Sequence, residues 1–186
     1  MIRLSISQST RGSALQRLQR SPKWIRTFSA TTIVEEAPKG VAYSALTVGV
    51  PKETFPLEKR VAATPETVSK MIKPGFNVII EKDAGLASHF KNEDYEAAGA
   101  KLVDSADLWK NSDIVLKIRA PSTEEATALG DKTIISHIWP AQNKDLVKQL
   151  QDQNASVFAM DCIPRTLSRG QTYDALSSQA NISGYR

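Results

Sequence analysis

No two of the nine glycines in this 186-residue chain lie two positions apart, and that absence removes one class of site at once. Glycines at 12, 40, 49, 75, 85, 99, 130, 170 and 184 cannot build a G-x-G-x-x-G turn, whose amides and helix start grip a pyrophosphate. They leave no P-loop either. A single cysteine, Cys162, excludes an internal disulfide framework. No apolar run approaches the ~20 residues of a membrane span; Phe76 to Ile80 and Val157 to Met160 are of strand length. His89, His137 and Cys162 show no metal-ligand spacing, and nothing places Ser and His as a triad.

Acidic residues are missing from positions 1–30, which carry Arg3, Arg11, Arg17, Arg20, Lys23 and Arg26. Taking those six from the 24 basic residues leaves 18 against 20 acidic ones, so the net +4 becomes −2 over 31–186. The globular part therefore has no basic excess for a nucleic-acid backbone. Residues 1–28, rich in Arg and Ser, read as a mitochondrial transit peptide, with Leu15 and Leu18 on one helical face. Arg26-Thr27-Phe28-Ser29 places cleavage near Phe28. A basic tail without structure is the alternative.

What is present is a soluble globular composition, 41% apolar and 24% charged. Residues 29–44, around Pro38-Lys39-Gly40, read as a linker. Strands are then expected at 46–50, 76–81, 100–103, 114–118, 133–138 and 156–160. Helices are expected between them. Thr64-Pro65-Glu66 starts one, with threonine as N-cap, and Pro74-Gly75 ends it. Asn92 caps a short helix through Ala98, Ala106 to Trp109 make a turn, and Ser122 caps a helix ending at Gly130. Asn143 caps a helix through Gln153 with Leu146, Val147 and Leu150 on one face. The alternation predicts an α/β fold: a Rossmann-like, mostly parallel sheet with flanking helices.

Ligands in such sheets sit beyond the carboxyl ends of the strands. Three polar clusters follow strand ends here: Pro51 to Arg60, Lys117 to Pro121, and Ile163 to Gln171. They are expected at one rim. Cys162, Trp109 and Trp139 read as packing residues or interface aromatics, and His137 as a core or surface histidine.

Five segments resemble, in order, the N-terminal domain family of alanine dehydrogenase and pyridine-nucleotide transhydrogenase. They are Val48-Gly-Val-Pro-Lys-Glu53 with Glu58-Lys-Arg-Val-Ala-Ala-Thr-Pro65, Val115-Leu-Lys-Ile-Arg-Ala-Pro121, Ile138-Trp-Pro-Ala-Gln-Asn143, Ala159-Met-Asp-Cys-Ile-Pro-Arg165 and Tyr173-Asp-Ala-Leu-Ser-Ser-Gln-Ala-Asn-Ile-Ser-Gly-Tyr185. The last two are more similar to the transhydrogenase. The resemblance implies a domain at 45–171 and, over 172–186, the start of an inter-domain helix that the chain cuts short. It implies a homodimeric, NAD(H)-binding component on the matrix side of the inner membrane. A second domain would grip NAD(H), and hydride would pass to NADP(H) on a partner domain, coupled to proton movement through a membrane domain. This chain alone would be inactive.

The resemblance also implies residue roles. Arg165 reaches the nicotinamide end of NAD(H), where a guanidinium fork can fix a carboxamide oxygen. Gln171 points at the partner nucleotide across the hydride gap, a task of position rather than proton exchange. Asp174 and Ser177 join the polar network, and Thr172, Tyr173 and Ala175 complete the cofactor-binding run. Arg165, Gln171 and Asp174 are the catalytic candidates. Asp174, with Thr172, reads equally well as a first-turn acid with a cap.

Arg60 and Lys117 match positions at which alanine dehydrogenases hold their keto acid. Those enzymes also need a histidine acid/base where Pro140-Ala141-Gln142 stands here, which leaves amination without a proton donor. An amino-acid dehydrogenase is therefore the second reading. A stand-alone module that docks on an intact transhydrogenase is the third.

Overall fold

The structure, a computed structural model, describes residues 40–164, 166 and 168–185. The expected transit peptide, most of the linker and Arg165 lie outside the described residues.

Six short strands form one parallel sheet: β1 (Thr47–Val50), β2 (Asn77–Glu81), β3 (Lys101–Val103), β4 (Ile114–Leu116), β5 (Thr133–Ser136) and β6 (Ser156–Ala159). Their order is β3-β2-β1-β4-β5-β6. The chain winds outward from β1 to β3, then returns to lay β4 against the other side of β1. Val48 pairs with Val78 on one side and Ile114 on the other. The β1/β4 boundary is thus the switch point at which the strand order reverses, where open parallel sheets place their ligands.

The two-residue period of the strands divides the core. Val78 and Ile80 of β2 face one layer, with Val50, Val68 and Tyr95, under α1 (Pro65–Ile72) and α2 (Asn92–Ala97). Ile79 faces the other, with Leu108, Val115, Leu129, Ile134 and Leu150, under α3 (Ser105–Asn111), α4 (Thr123–Leu129) and α5 (Lys144–Asp152). Each fully buried aliphatic side chain contributes about 1.5–3 kcal/mol by leaving water. Gly49 lets α3 pack closely on β1: a Cβ on it would sit 2.0 Å from the Ser112 hydroxyl. Trp109 is 6% exposed in the second layer, so it is a core residue.

The strongest boundary signals are local. Thr64 Oγ1 accepts the Thr67 N–H, with Pro65 at the first helical position. Ser122 Oγ accepts the Glu125 N–H while Glu125 accepts the Ser122 N–H, a reciprocal cap. Elsewhere the structure corrects the sequence reading. Asn92 does not cap α2. Lys91 holds the cap position, and Asn92 is drawn away because its amide binds the Asp83 carboxylate and backbone N–H. Asn143 sits at the cap of α5 but gives its amide to the Ile138 carbonyl. Val147 is exposed, so only Leu146 and Leu150 turn inward. The expected single turn near Trp109 is the longer helix α3, whose last carbonyls, on Trp109 and Lys110, accept from Lys132 Nζ.

β6 is the sheet edge, with Val157 and Phe158 exposed. Cys162, in the turn beyond it, is exposed as well, which overturns its reading as a packing residue. No helix among the described residues is long and apolar enough to cross a membrane.

Candidate functional site

The loops after β1 and β4 leave adjacent strands and are tied together by charge. Glu53, on the first loop, accepts the backbone N–H of Ile118, on the second, at 2.6 Å. Lys117 Nζ lies 3.6 Å from the other Glu53 oxygen and donates to both oxygens of Glu125 at 2.9 and 3.0 Å. The Lys117 side chain is 1% exposed. One ammonium therefore sits under the rim between two carboxylates, and it is not presented to a ligand.

A second charged knot lies nearer the surface. Glu58 accepts from Arg60 Nε and Nη2, both at 2.7 Å, and from Arg119 Nε at 2.8 Å. The Arg60 hydrogen bonds, helped by Arg119 and opposed by burial, hold the Glu58 carboxyl down at about 2. Arg119 also lies 4.8 Å over the Phe55 ring, a cation–π contact that again links the two loops. The two cations of the alanine dehydrogenase pattern, Arg60 and Lys117, thus already carry internal carboxylates.

The third polar cluster folds back over these two. A 3-10 turn at Met160–Cys162 follows β6, and a second at Gly170–Tyr173 precedes α6 (Ala175–Gly184). Gly170 is required where the loop closes, because a Cβ there would lie 2.3 Å from the Pro164 carbonyl oxygen. Asp161 reaches sideways to the loop after β5, accepting the N–H of Ile138 at 2.8 Å and of Trp139 at 3.0 Å. Trp139 has φ +54, a left-handed conformation costly for a bulky side chain. The carboxylate satisfies the two amides of that strained turn.

A cleft of about 330 Å³ lies between the three loops, lined by Arg60, Ile118, Arg119, His137, Trp139, Met160, Asp161, Ile163, Gly170, Tyr173, Asp174 and Gln179. The expected convergence at one rim is what the fold produces. Of the candidate site residues, Tyr173 and Asp174 line this cleft. Gln171 and Thr172 are exposed in the preceding 3-10 turn and are not among its lining. Gln171 thus stands in the turn before α6, not on that helix.

Asp174 stands at the start of α6, where Oδ1 accepts the Ser177 N–H at 3.2 Å and Oδ2 the Ser177 hydroxyl at 2.6 Å. It is the cap itself, and Thr172 is not. Ala175 is the first residue of α6, and Arg165 lies outside the described residues.

Sequence reasoning missed five lining residues, Met160 among them. His137 is half-buried on the cleft wall rather than in the core, with Nδ1 3.1 Å from the Ile118 carbonyl oxygen. Trp139 is 47% exposed beside it. Asp161 and Gln179 complete the set. A signal for Asp161 existed, an acid just past a strand end, but its amide partners lie 22 and 23 residues earlier.

A doubly wound parallel sheet with a cleft at the carboxyl-end rim defines the class: a Rossmann-type domain. Residues 49–183 match the family described as Alanine dehydrogenase/PNT, N-terminal domain, and the chain belongs to that family. It is 48% identical over 140 residues to the NAD(P) transhydrogenase subunit alpha of Haemophilus influenzae, covering 75% of this chain and 27% of that protein. The alanine dehydrogenase of Bacillus subtilis is 34% identical over 139 residues, covering 74% and 35%. Among solved structures, a transhydrogenase from Sinorhizobium meliloti superposes with a TM-score of 0.71 at 38% identity, covering 75% of this chain and 42% of the other. An L-alanine dehydrogenase does so with 0.62 at 28%, covering 67% and 34%. The chain thus spans about a quarter to two fifths of the length of these relatives.

Proposed function

We propose that these residues are the N-terminal part of the NAD(H)-binding component of a proton-translocating NAD(P)⁺ transhydrogenase, and that the cleft receives the nicotinamide end of NAD(H). One observation favours this reading over an amino-acid dehydrogenase: Glu58 and Glu125 occupy the two cations, Arg60 and Lys117, that a keto acid would need. A substrate carboxylate would have to displace a bidentate partner at one and a buried one at the other. The two relatives above named transhydrogenase are also more similar to this chain than the two named alanine dehydrogenase.

On this reading 45–171 is the domain, 172–186 begins the inter-domain helix, 1–28 is the mitochondrial transit peptide and 29–44 the linker. The pyrophosphate would be gripped by a second domain, since these 186 residues carry no glycine fingerprint. NADP(H) would sit on a partner domain, with the component dimeric on the matrix side of the inner membrane. Arg165, Gln171, Thr172, Tyr173, Asp174, Ala175 and Ser177 would form the edge that meets the cofactor. Gln171, exposed on its turn, suits the face toward the second nucleotide. Arg165 and Asp174 suit the nicotinamide side. The work of such a site is to hold two rings in register, since hydride transfer depends on approach and orientation.

The test is reconstitution. The chain is joined to the dinucleotide-binding domain of a transhydrogenase subunit alpha, mixed with the NADP(H)-binding partner domain, and assayed for hydride transfer from NADH to thio-NADP⁺. Transfer well above that of the unjoined chain is expected. Equal rates, or alanine-dependent reduction of NAD⁺ instead, overturn the reading.

A further inference from the structure

Ile138 is 1% exposed, while His137 and Trp139 on either side of it line the cleft. This short segment is held from two directions. Asp161 takes the N–H groups of Ile138 and Trp139. On the other side a single carbonyl oxygen, that of Ile118, accepts the backbone N–H of His137 at 3.2 Å and lies 3.1 Å from its ring Nδ1. The imidazole is thus anchored at one nitrogen.

That anchor decides the chemistry of the other nitrogen. A carbonyl oxygen can only accept, so Nδ1 must carry a proton. In the neutral ring Nε2 is then a lone pair, an acceptor with no hydrogen to give. Among the described residues Nε2 has no hydrogen-bond partner. The same cleft is lined by Tyr173 and by Arg60 and Arg119, whose N–H groups not taken by Glu58 are donors. A ligand that satisfies both kinds of group must offer an acceptor and an N–H or O–H donor. A keto acid has only acceptors. A primary carboxamide on a flat ring has both, and the Trp139 indole gives the ring a wall.

We propose that His137 is a ligand-binding residue of this cleft, its Nε2 accepting a hydrogen bond from the amide N–H of a ring-borne carboxamide. The inference rests on the nicotinamide reading of the cleft and adds to it the group that recognises the amide hydrogens. It predicts selection for the amide over ring analogues that keep the carbonyl but lack the N–H.

The 186-residue chain labelled with ¹⁵N-histidine allows a direct test, since His89 and His137 are the only histidines and His89→Gln assigns them. Long-range ¹H–¹⁵N spectra should show the Nδ1-protonated tautomer at His137. Nicotinamide should shift His137 Nε2 and the Trp139 indole together, and bind about five-fold more tightly than 3-acetylpyridine, the worth of one hydrogen bond. His137→Phe should abolish that preference while the Trp139 response persists. An Nε2-protonated ring overturns the proposal, as does a titration that moves Trp139 and leaves Nε2 unmoved; the nicotinamide reading survives both. If neither nicotinamide nor NAD⁺ perturbs any cleft resonance, that reading fails and the proposal falls with it.

Discussion

The ammonium of Lys117 donates to both carboxylate oxygens of Glu125, at 2.9 and 3.0 Å, beneath the rim of the cleft. The two side chains are 1% and 12% exposed, so neither has water to replace the other. Removing one member of a buried pair strands the remaining charge, at a cost of about 3–5 kcal/mol. Lys117→Met should therefore lower unfolding stability in urea by that order, with Glu53 left unpaired beside Glu125. Adding Glu125→Gln should recover part of the loss, because the amide can keep the cap on Ser122 without the charge. Pyruvate should leave the urea midpoint of the unmodified chain unchanged; a clear stabilisation would mean that Lys117 is open to substrate after all.

Glu58 should control the acid limit of the fold. Its hydrogen bonds to Arg60 and Arg119 hold the carboxyl down to about 2 in the folded protein, from an ordinary 4.5. A depressed folded pKa means that the contribution is complete above about 4.5 and is lost as pH falls toward 2. Discounted for the solvent around the half-exposed arginines, it is worth about 1–3 kcal/mol. Urea midpoints measured from pH 5 to pH 2 should fall steeply for the native chain. Glu58→Gln should start lower at pH 5 and flatten this slope, and parallel curves would refute the assignment.

These two knots also mark where the sequence stops being legible. Helix starts were readable because their causes are local: Thr64 with Pro65, and Ser122 with Glu125, act within three residues. The fold class followed from the alternation of strand and helix. The partner of Lys117 was hidden because Glu125 already had a sufficient local explanation as a first-turn acid. The exposure of Phe158 and Cys162 was hidden because nothing within β6 says that it is the sheet edge. The 3-10 turn that holds Gln171 was hidden too, because it begins at Gly170, whose approach to the Pro164 carbonyl is a contact no periodicity reveals.

Gly170 is a sharp test of that loop. A methyl group there would meet a backbone oxygen at 2.3 Å, and backbone cannot swing aside as a side chain can. Gly170→Ala should cost about 1–3 kcal/mol through forced overpacking. It should also displace the loop that carries Tyr173, giving a changed near-ultraviolet circular dichroism spectrum with far-ultraviolet helix content kept. An unchanged spectrum and stability would show that the loop closes more loosely than described.

Asp161 should act through Trp139. Asp161→Ala leaves two backbone amides of a left-handed turn without their acceptor, a loss of about 1–3 kcal/mol. Trp139 would then leave its strained φ, and its fluorescence should shift toward that of a solvated indole. Trp109 is buried elsewhere and Trp24 lies near the start of the chain, so a background carrying both Trp24→Phe and Trp109→Phe isolates the change. Asp161→Asn retains one acceptor oxygen and should fall between the two.

Asp174 carries two readings, and one pair of substitutions separates them. As the cap of α6 it accepts the Ser177 N–H and hydroxyl, a role asparagine can also fill. As a member of the hydride-transfer site it would act through its negative charge, which asparagine lacks. Asp174→Ala should therefore fray α6 and reduce helix content, by about 1 kcal/mol of cap energy. Asp174→Asn should preserve the helix. If the residue only caps, the reconstituted hydride-transfer rate of Asp174→Asn will match that of the parent. On the proposed function the rate should drop ten-fold or more (about 1.4 kcal/mol in the barrier) with helix content intact. Ser177→Ala, which removes the hydroxyl but keeps the backbone N–H on the cap, is the control. A fall in rate for Asp174→Asn that Ser177→Ala does not share would assign the effect to the carboxylate charge rather than to its packing on Ser177.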